Sequence, residues 1–355
     1  MAAIIGRYWI VGYYIGELAV PDSVIQKQRA DHNILIGMAY NEQGRYLKLQ
    51  NANYYQADVM ALGTSRVMQF QADFFSSDFY NAGGAVSGNY DEYINFLENL
   101  NYIPEVIILG LDLWVFNDSW NSYACIDYTN YKNIEVLERD SHSIIKDIKT
   151  DYSKGKWKYG ELNNYPENFG MNGRVKDTGF LYDGSSYYGD TYRNPERQDD
   201  YHFKSTFWRI ETGSNRFEYG EHIDDETICL LGDFLEYCKN KDIMVVGVLC
   251  PLAPGVYDKM DALGMYGYMY EIAPICKKYF DKYDYEFYDY LNGGNLGLSD
   301  DYFVDGFHGS SIAYAYIIKN MIEKDSILDD YVNIDKLNAL LENRYSNLCF
   351  YNPDR

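Results

Sequence analysis

Apolar residues along this chain gather in short runs that alternate with longer stretches of helical spacing. Glu105–Gly110 (EVIILG) and Asp242–Cys250 (DIMVVGVLC) are apolar almost throughout, the pattern of strands covered on both faces. The second run stops at Pro251-Leu-Ala-Pro254, where proline cannot continue a central ladder. Asp58–Gly63 reads as an earlier buried strand, Phe79–Asn81 as a short one entering the turn at Gly83-Gly84, and Tyr285–Tyr290 as the last. Tyr90–Leu100 spaces Tyr93, Ile94, Leu97 and Leu100 along one helical face, and Glu226–Lys241 does the same with Ile228, Leu231, Leu235 and Cys238. Tyr266–Tyr283 and Gly309–Lys324 read as further helices. The alternation predicts an α/β fold, with a parallel central sheet and helices on both faces.

Two segments depart from this rhythm. From Ala2 to Pro21 the chain is rich in apolar residues, but Arg7 and Glu17 interrupt it before a span of 18 is reached. It is not read as a complete transmembrane helix, and no small-x-small cleavage site marks a signal peptide; the lower end of such a helix and the remnant of a signal anchor are the two readings left open. The second segment, about 113–222, is rich in Tyr, Asn, Asp and Gly and includes Asp183-Gly-Ser-Ser-Tyr-Tyr-Gly189 and Asn215-Arg-Phe-Glu-Tyr-Gly220. A long, aromatic-rich and irregular insertion between core strands is expected to frame a site.

Composition narrows the function. With 355 residues, 47% of them hydrophobic, the chain supports a large core. A formal net charge of −22 repels phosphate backbones, so nucleic acid is excluded as a partner. The 39 tyrosines offer flat apolar faces with a hydroxyl, suited to half-buried packing and to sugar rings alike. The six cysteines show no metal-ligand spacing, and no metal or cofactor is expected. Cys229, Cys238 and Cys250 fall in apolar patterns and are expected as buried thiols.

The candidate chemistry lies at the strand ends. Ser65 follows the first strand in Gly63-Thr64-Ser65, and Asp305-Gly-Phe-His308 comes after the last, opening the closing helix. Gly83 and Asp112 also follow strands, so all five positions are expected on one edge of the sheet, where ligands bind in open α/β folds. A serine, a histidine and a carboxylate so gathered supply a nucleophile, its base and the group that orients the base.

These blocks resemble the SGNH (GDSL-like) hydrolase superfamily over about residues 57–324. Gly63-Thr64-Ser65 stands where the family has Gly-Asp-Ser, Asn81-Ala-Gly83 matches Asn-x-Gly, Gly110-Leu-Asp112 stands for Gly-x-Asn, and Asp305 to His308 match Asp-x-x-His. GTSRVMQF, FYNAGGA, GLDLWVFN and DGFHG are similar to the bacterial branch of alginate O-acetylation and lipoteichoic acid D-alanylation proteins. The resemblance implies a three-layer α/β/α, flavodoxin-like domain at 57–324 carrying the insertion, an N-terminal segment at 1–56 holding an anchor remnant, and a C-terminal helical tail at 325–355. It implies Ser65, His308 and Asp305 as the triad, with backbone N–H groups of Ser65 and Gly83 as oxyanion donors. Asp112 stands where the family has a donating asparagine, and an ionised carboxylate cannot donate. Either two donors suffice, or Asp112 is protonated, or it orients a neighbour such as Arg66. Arg66, Trp114 and Asn117 are expected to bind substrate.

The activity implied is O-acyl transfer or ester hydrolysis on a cell-surface polysaccharide, outside the cytoplasmic membrane and beside a membrane-bound O-acyltransferase. A simple carbohydrate acetyl esterase, or a non-catalytic carbohydrate-binding or scaffold subunit of an acylation complex, are the alternatives. The acidic surface leads to the expectation of a neutral or amino-sugar acceptor.

Overall fold

A computed structural model describes residues 2–41, 44–120 and 141–354, with side chains from residue 6 onward. Cys125 and residues 121–140 of the insertion lie outside the described residues. Five strands form the central sheet: β1 (Val59–Leu62), β2 (Phe79–Asn81), β3 (Val106–Leu111), β4 (Met244–Leu249) and β5 (Glu286–Asp289). They run parallel throughout in the order β2-β1-β3-β4-β5. This is the doubly wound order of flavodoxin-like sheets, and the winding reverses between β1 and β3.

The uninterrupted apolar runs are explained by two cores on opposite faces of the sheet. Met60, Leu62, Ile107, Leu109 and Val245 pack against the helices Tyr90–Glu98, Asp225–Asn240 and Met269–Lys282. Their neighbours Val59, Ala61, Ile108, Val246 and Val248 face the helices Ser311–Ile322 and Ile334–Glu342. Each fully buried Ile or Leu of this set contributes about 1.5–3 kcal/mol of apolar burial. The result is a three-layer α/β/α fold, as the alternation predicted. Cys238 and Cys250 are buried thiols, whereas Cys229, one position before Leu230 on the outer side of its helix, is exposed.

The insertion is more regular than its composition suggested. It holds the helices Ser141–Ser153, Gly170–Lys176 and Lys204–Thr212, and a two-stranded hairpin, Thr178–Phe180 with Ser186–Tyr188. The N-terminal helix Ala2–Tyr14 packs on it through Tyr8 and Val11, against Ile144, Ile145, Ile148 and Trp157. Among the described residues no helix is long and apolar enough to cross a membrane. Glu17 is fully buried, and its carboxylate accepts hydrogen bonds from the backbone N–H groups of Ala39, Tyr40, Asn41 and Met171 at 2.8–3.1 Å. Four donors are what a buried carboxylate requires.

Lys48 ties the same regions to the sheet. Its buried amino group donates to the carbonyl oxygens of Asn81 (2.9 Å) and Gly184, beneath the Phe180 ring. Gly184 has φ +82°, and a Cβ there would lie 2.2 Å from the Asn81 oxygen, so only glycine permits this approach. Burial pushes Lys48 down to about 7, against the nearby Asp183, which raises it. The sign follows: between pH 7 and about 10.4 the unfolded chain carries the Lys48 proton and the native protein does not. Stability is therefore expected to rise with pH across that window, by up to about 1.4 kcal/mol per pH unit, and Lys48→Met should flatten the rise. Denaturant midpoints of both proteins between pH 7 and 10 check this; parallel profiles would show that Lys48 stays charged in the native state.

Candidate active site

At the end of β1 the chain leaves the sheet through Gly63-Thr64 and enters a short 3₁₀ turn, Ser65–Gln69. Arg66, Val67, Met68 and Gln69 of that turn are buried, leaving Ser65 half-exposed at the carboxyl edge of the sheet. It lies at the point where the winding reverses, the usual ligand position in such sheets.

His308 reaches Ser65 from the segment after β5. Its Nε2 lies 2.9 Å from Ser65 Oγ, and its Nδ1 lies 2.7 Å from Asp305 Oδ2. Asp305 Oδ1 accepts the N–H groups of Phe307 (3.0 Å) and His308 (2.8 Å), which fixes the carboxylate against its own loop. Burial raises the Asp305 carboxyl, but the His308 ring and these hydrogen bonds outweigh it and hold the group below its ordinary value. An ionised Asp305 requires the Nδ1–H tautomer, and the bare Nε2 then accepts the Ser65 hydroxyl proton. The Asp305–His308 segment is a loop, not the first turn of a helix. The helix starts at Ser311, and one more, Ile334–Glu342, follows it.

Several expected roles do not match the geometry. The Gly83 N–H is taken by Asn81 Oδ1 at 2.8 Å, which removes it as an oxyanion donor. The Ser65 N–H has no hydrogen-bond partner among the described residues. Asp112 is buried; its Oδ2 accepts the Thr64 hydroxyl and its Oδ1 lies 3.5 Å from Arg66 Nη1. Both oxygens face neighbours of Ser65, so of the three alternatives the structure favours the one in which Asp112 orients Arg66, and it adds Thr64. Burial raises the Asp112 carboxyl, opposed by Arg66 and by the Thr64 hydroxyl. Arg66 is 1% exposed and donates to the Pro251 carbonyl at 2.6 Å, so it lies behind the pocket wall and not in it. Asn117 is also buried, bonding Glu218 O and Ser119, because it sits where the chain turns into the insertion.

Ser65 opens onto a cavity of about 790 Å³ between the sheet edge, the N-terminal segment and the insertion. Trp114 lines it as expected, with Arg66 stacked at 5.2 Å and Arg216 at 5.3 Å from its ring. Trp120, Phe180, Tyr187 and Tyr188 add aromatic surface. The charged lining residues are Arg45 and Arg216; no carboxylate lines the cavity among the described residues. Neither arginine was legible as a site residue. The nearest signal was the Asn215–Gly220 block, where Asn215 and Arg216 adopt left-handed backbone (φ 54° and 80°) of the kind found at functional sites. No group of His, Cys, Asp and Glu able to hold a metal occurs among the described residues.

Comparison with known protein families, with characterised proteins and with solved structures finds no match to this chain.

Proposed function

We propose that the protein is a serine-dependent O-acyl esterase or acyltransferase acting on a cell-surface polysaccharide. The observation that carries this reading is the continuous chain from Ser65 Oγ through His308 to Asp305, at 2.9 and 2.7 Å. Ser65 Oγ attacks the acyl carbonyl carbon while its proton passes to His308 Nε2. That proton then goes to the leaving alcohol, and the acyl group stays on Ser65. In the second half, a sugar hydroxyl or water gives its proton to Nε2 and attacks the acyl-enzyme, and Ser65 leaves with the proton. Asp305 stabilises the imidazolium formed in both halves.

The polymer and the membrane-bound O-acyltransferase partner rest on the sequence resemblance alone. For the acceptor, the cavity supports a different reading from the neutral or amino sugar that overall charge suggested. Arg45 and Arg216 line it with no carboxylate among the described residues, and local charge outweighs distant screened charge. An acceptor bearing anionic groups fits better. A second reading, the non-catalytic binding subunit, is favoured by the oxyanion region: of the two expected backbone donors only the Ser65 N–H is free among the described residues, Asp112 in the third place accepts the Thr64 hydroxyl, and each such donor is worth about 3–4 kcal/mol.

One experiment separates these. An activated acetyl donor is supplied with neutral, amino and acidic oligosaccharides, and the products are followed by mass spectrometry. Acetylated acidic oligosaccharide is expected, absent with Ser65→Ala. Free acetate across the whole panel would favour the simple esterase, and no turnover by the folded protein would favour the binding subunit.

A further inference from the structure

The loop that carries His308 is held from outside the sheet domain. The Gly306 N–H donates to Asp200 Oδ2 at 3.0 Å, although Asp200 lies 106 positions earlier, inside the insertion. The same carboxylate accepts the Thr206 N–H at 2.8 Å and the Thr206 hydroxyl at 2.6 Å, so all its bonds go to two residues. Thr206 is fully buried against Gly306, where a Cβ would meet its side chain at 2.6 Å. On its other side, the Gly306 carbonyl accepts the Ala253 N–H at 3.2 Å. The peptide between Asp305 and Phe307 is thus gripped between insertion and sheet edge. Phe307 is gripped as well: Arg209, Arg216 and Phe217 of the insertion approach its ring.

The chain is bent to deliver this contact. His202 and Phe203, between Asp200 and the Lys204–Thr212 helix, are consecutive non-glycine residues in left-handed backbone (φ 56° and 58°). Strain of this kind persists only where surrounding structure enforces it, and it concentrates where geometry matters for function.

We propose that Asp200 is a positioning residue for the His308 base. By fixing the Gly306 N–H it sets the orientation of the Asp305–His308 loop, and through it the Nε2–Oγ approach. The insertion then has a second role besides framing the cavity, since it completes the active geometry. The inference rests on the Ser65–His308–Asp305 reading.

The test compares two variants of the full chain. Asp200→Asn keeps an oxygen for the Thr206 N–H but turns an NH₂ toward the Gly306 N–H and so releases it. Thr206→Val removes one hydrogen bond from the same network, keeps the shape, and leaves Asp200 on Gly306. With 4-nitrophenyl acetate, Asp200→Asn is expected to lower kcat by about tenfold to a hundredfold with KM little changed, the cost of a misplaced reacting group. Its fluorophosphonate labelling at Ser65 should slow in proportion, and the low-field Nδ1–H proton resonance of His308 should move. Thr206→Val should lower the melting midpoint by at least as much as Asp200→Asn while keeping near-native kcat. If activity in the two variants simply follows their stability, or if Asp200→Asn labels as fast as the unaltered protein, the proposal is overturned. Failure of the unaltered, folded protein to label at Ser65 overturns the nucleophile reading itself, and this one with it.

Discussion

Asp305→Asn is expected to cut ester turnover on the order of 10⁴-fold, nearly as much as His308→Ala. The size of the effect follows from how tightly the carboxylate is held. Oδ1 accepts the N–H groups of Phe307 and His308, so an asparagine must keep its oxygen there and place its NH₂ against His308 Nδ1. A donor at that position forces the ring proton onto Nε2. The nitrogen 2.9 Å from Ser65 Oγ then donates and can no longer take the nucleophile's proton. Flipping the amide restores the tautomer only by setting its NH₂ against two backbone N–H groups. Steady-state hydrolysis of an aryl acetate checks this, with circular dichroism to show that the fold survives. A loss smaller than about tenfold would make the Asp305–His308 contact structural only. Acid conditions should mimic part of the effect. Asp305 is held below its ordinary value, so its stabilising contribution is fully present above pH ~3.9 and is lost as pH falls through the lower native value.

The second large effect concerns stability. Asp112→Ala is expected to cost about 3–5 kcal/mol, because it leaves the Arg66 guanidinium buried and unpaired. The side chains of this pair are 0% and 2% exposed, so water cannot replace the lost partner. Yet the pair itself is imperfect: Arg66 Nη1 and Asp112 Oδ1 face each other at 3.5 Å, and neither atom makes a hydrogen bond. The double variant Asp112→Leu with Arg66→Met should therefore recover most of the loss, since an apolar replacement leaves no charge stranded. Urea denaturation of the two proteins measures both quantities. Equal losses in single and double variants would show that packing, and not charge, sets the cost.

The sheet was readable because burial on two faces leaves a trace that needs no context. Val106–Leu111 and Met244–Leu249 are apolar in nearly every position, and proline at 251 ends the second run. The juxtaposition of Ser65 and His308 was readable because strand ends in a doubly wound sheet converge on one edge, which brings together residues 243 positions apart. The insertion was harder. The apolar spacing of Ile144, Ile145 and Ile148 specifies a helix, but Tyr, Asn and Asp between such short segments mask it, and the partners of that face lie in the first twenty residues. Arg66 and Asn117 were misplaced for a different reason. Polar residues beside a site resemble ligand contacts in sequence, and only three dimensions show which way they turn. The Gly83 N–H illustrates the same limit, because nothing in Asn81-Ala-Gly83 reveals that the asparagine occupies it.

The Glu17 carboxylate has a consequence for how the chain is made. One of its four donors is the Met171 N–H, 154 positions away, and the apolar face of the first helix waits for Ile144, Ile145 and Ile148. During synthesis, Tyr8 and Val11 therefore leave the ribosome well before Ile144, Ile145, Ile148 and Trp157, against which they pack, exist. Contacts of such long range are slow to close, and the open interval is when apolar chain is most exposed to aggregation or to capture. A helix made well before its partners is thus among the last of these elements to find its native place.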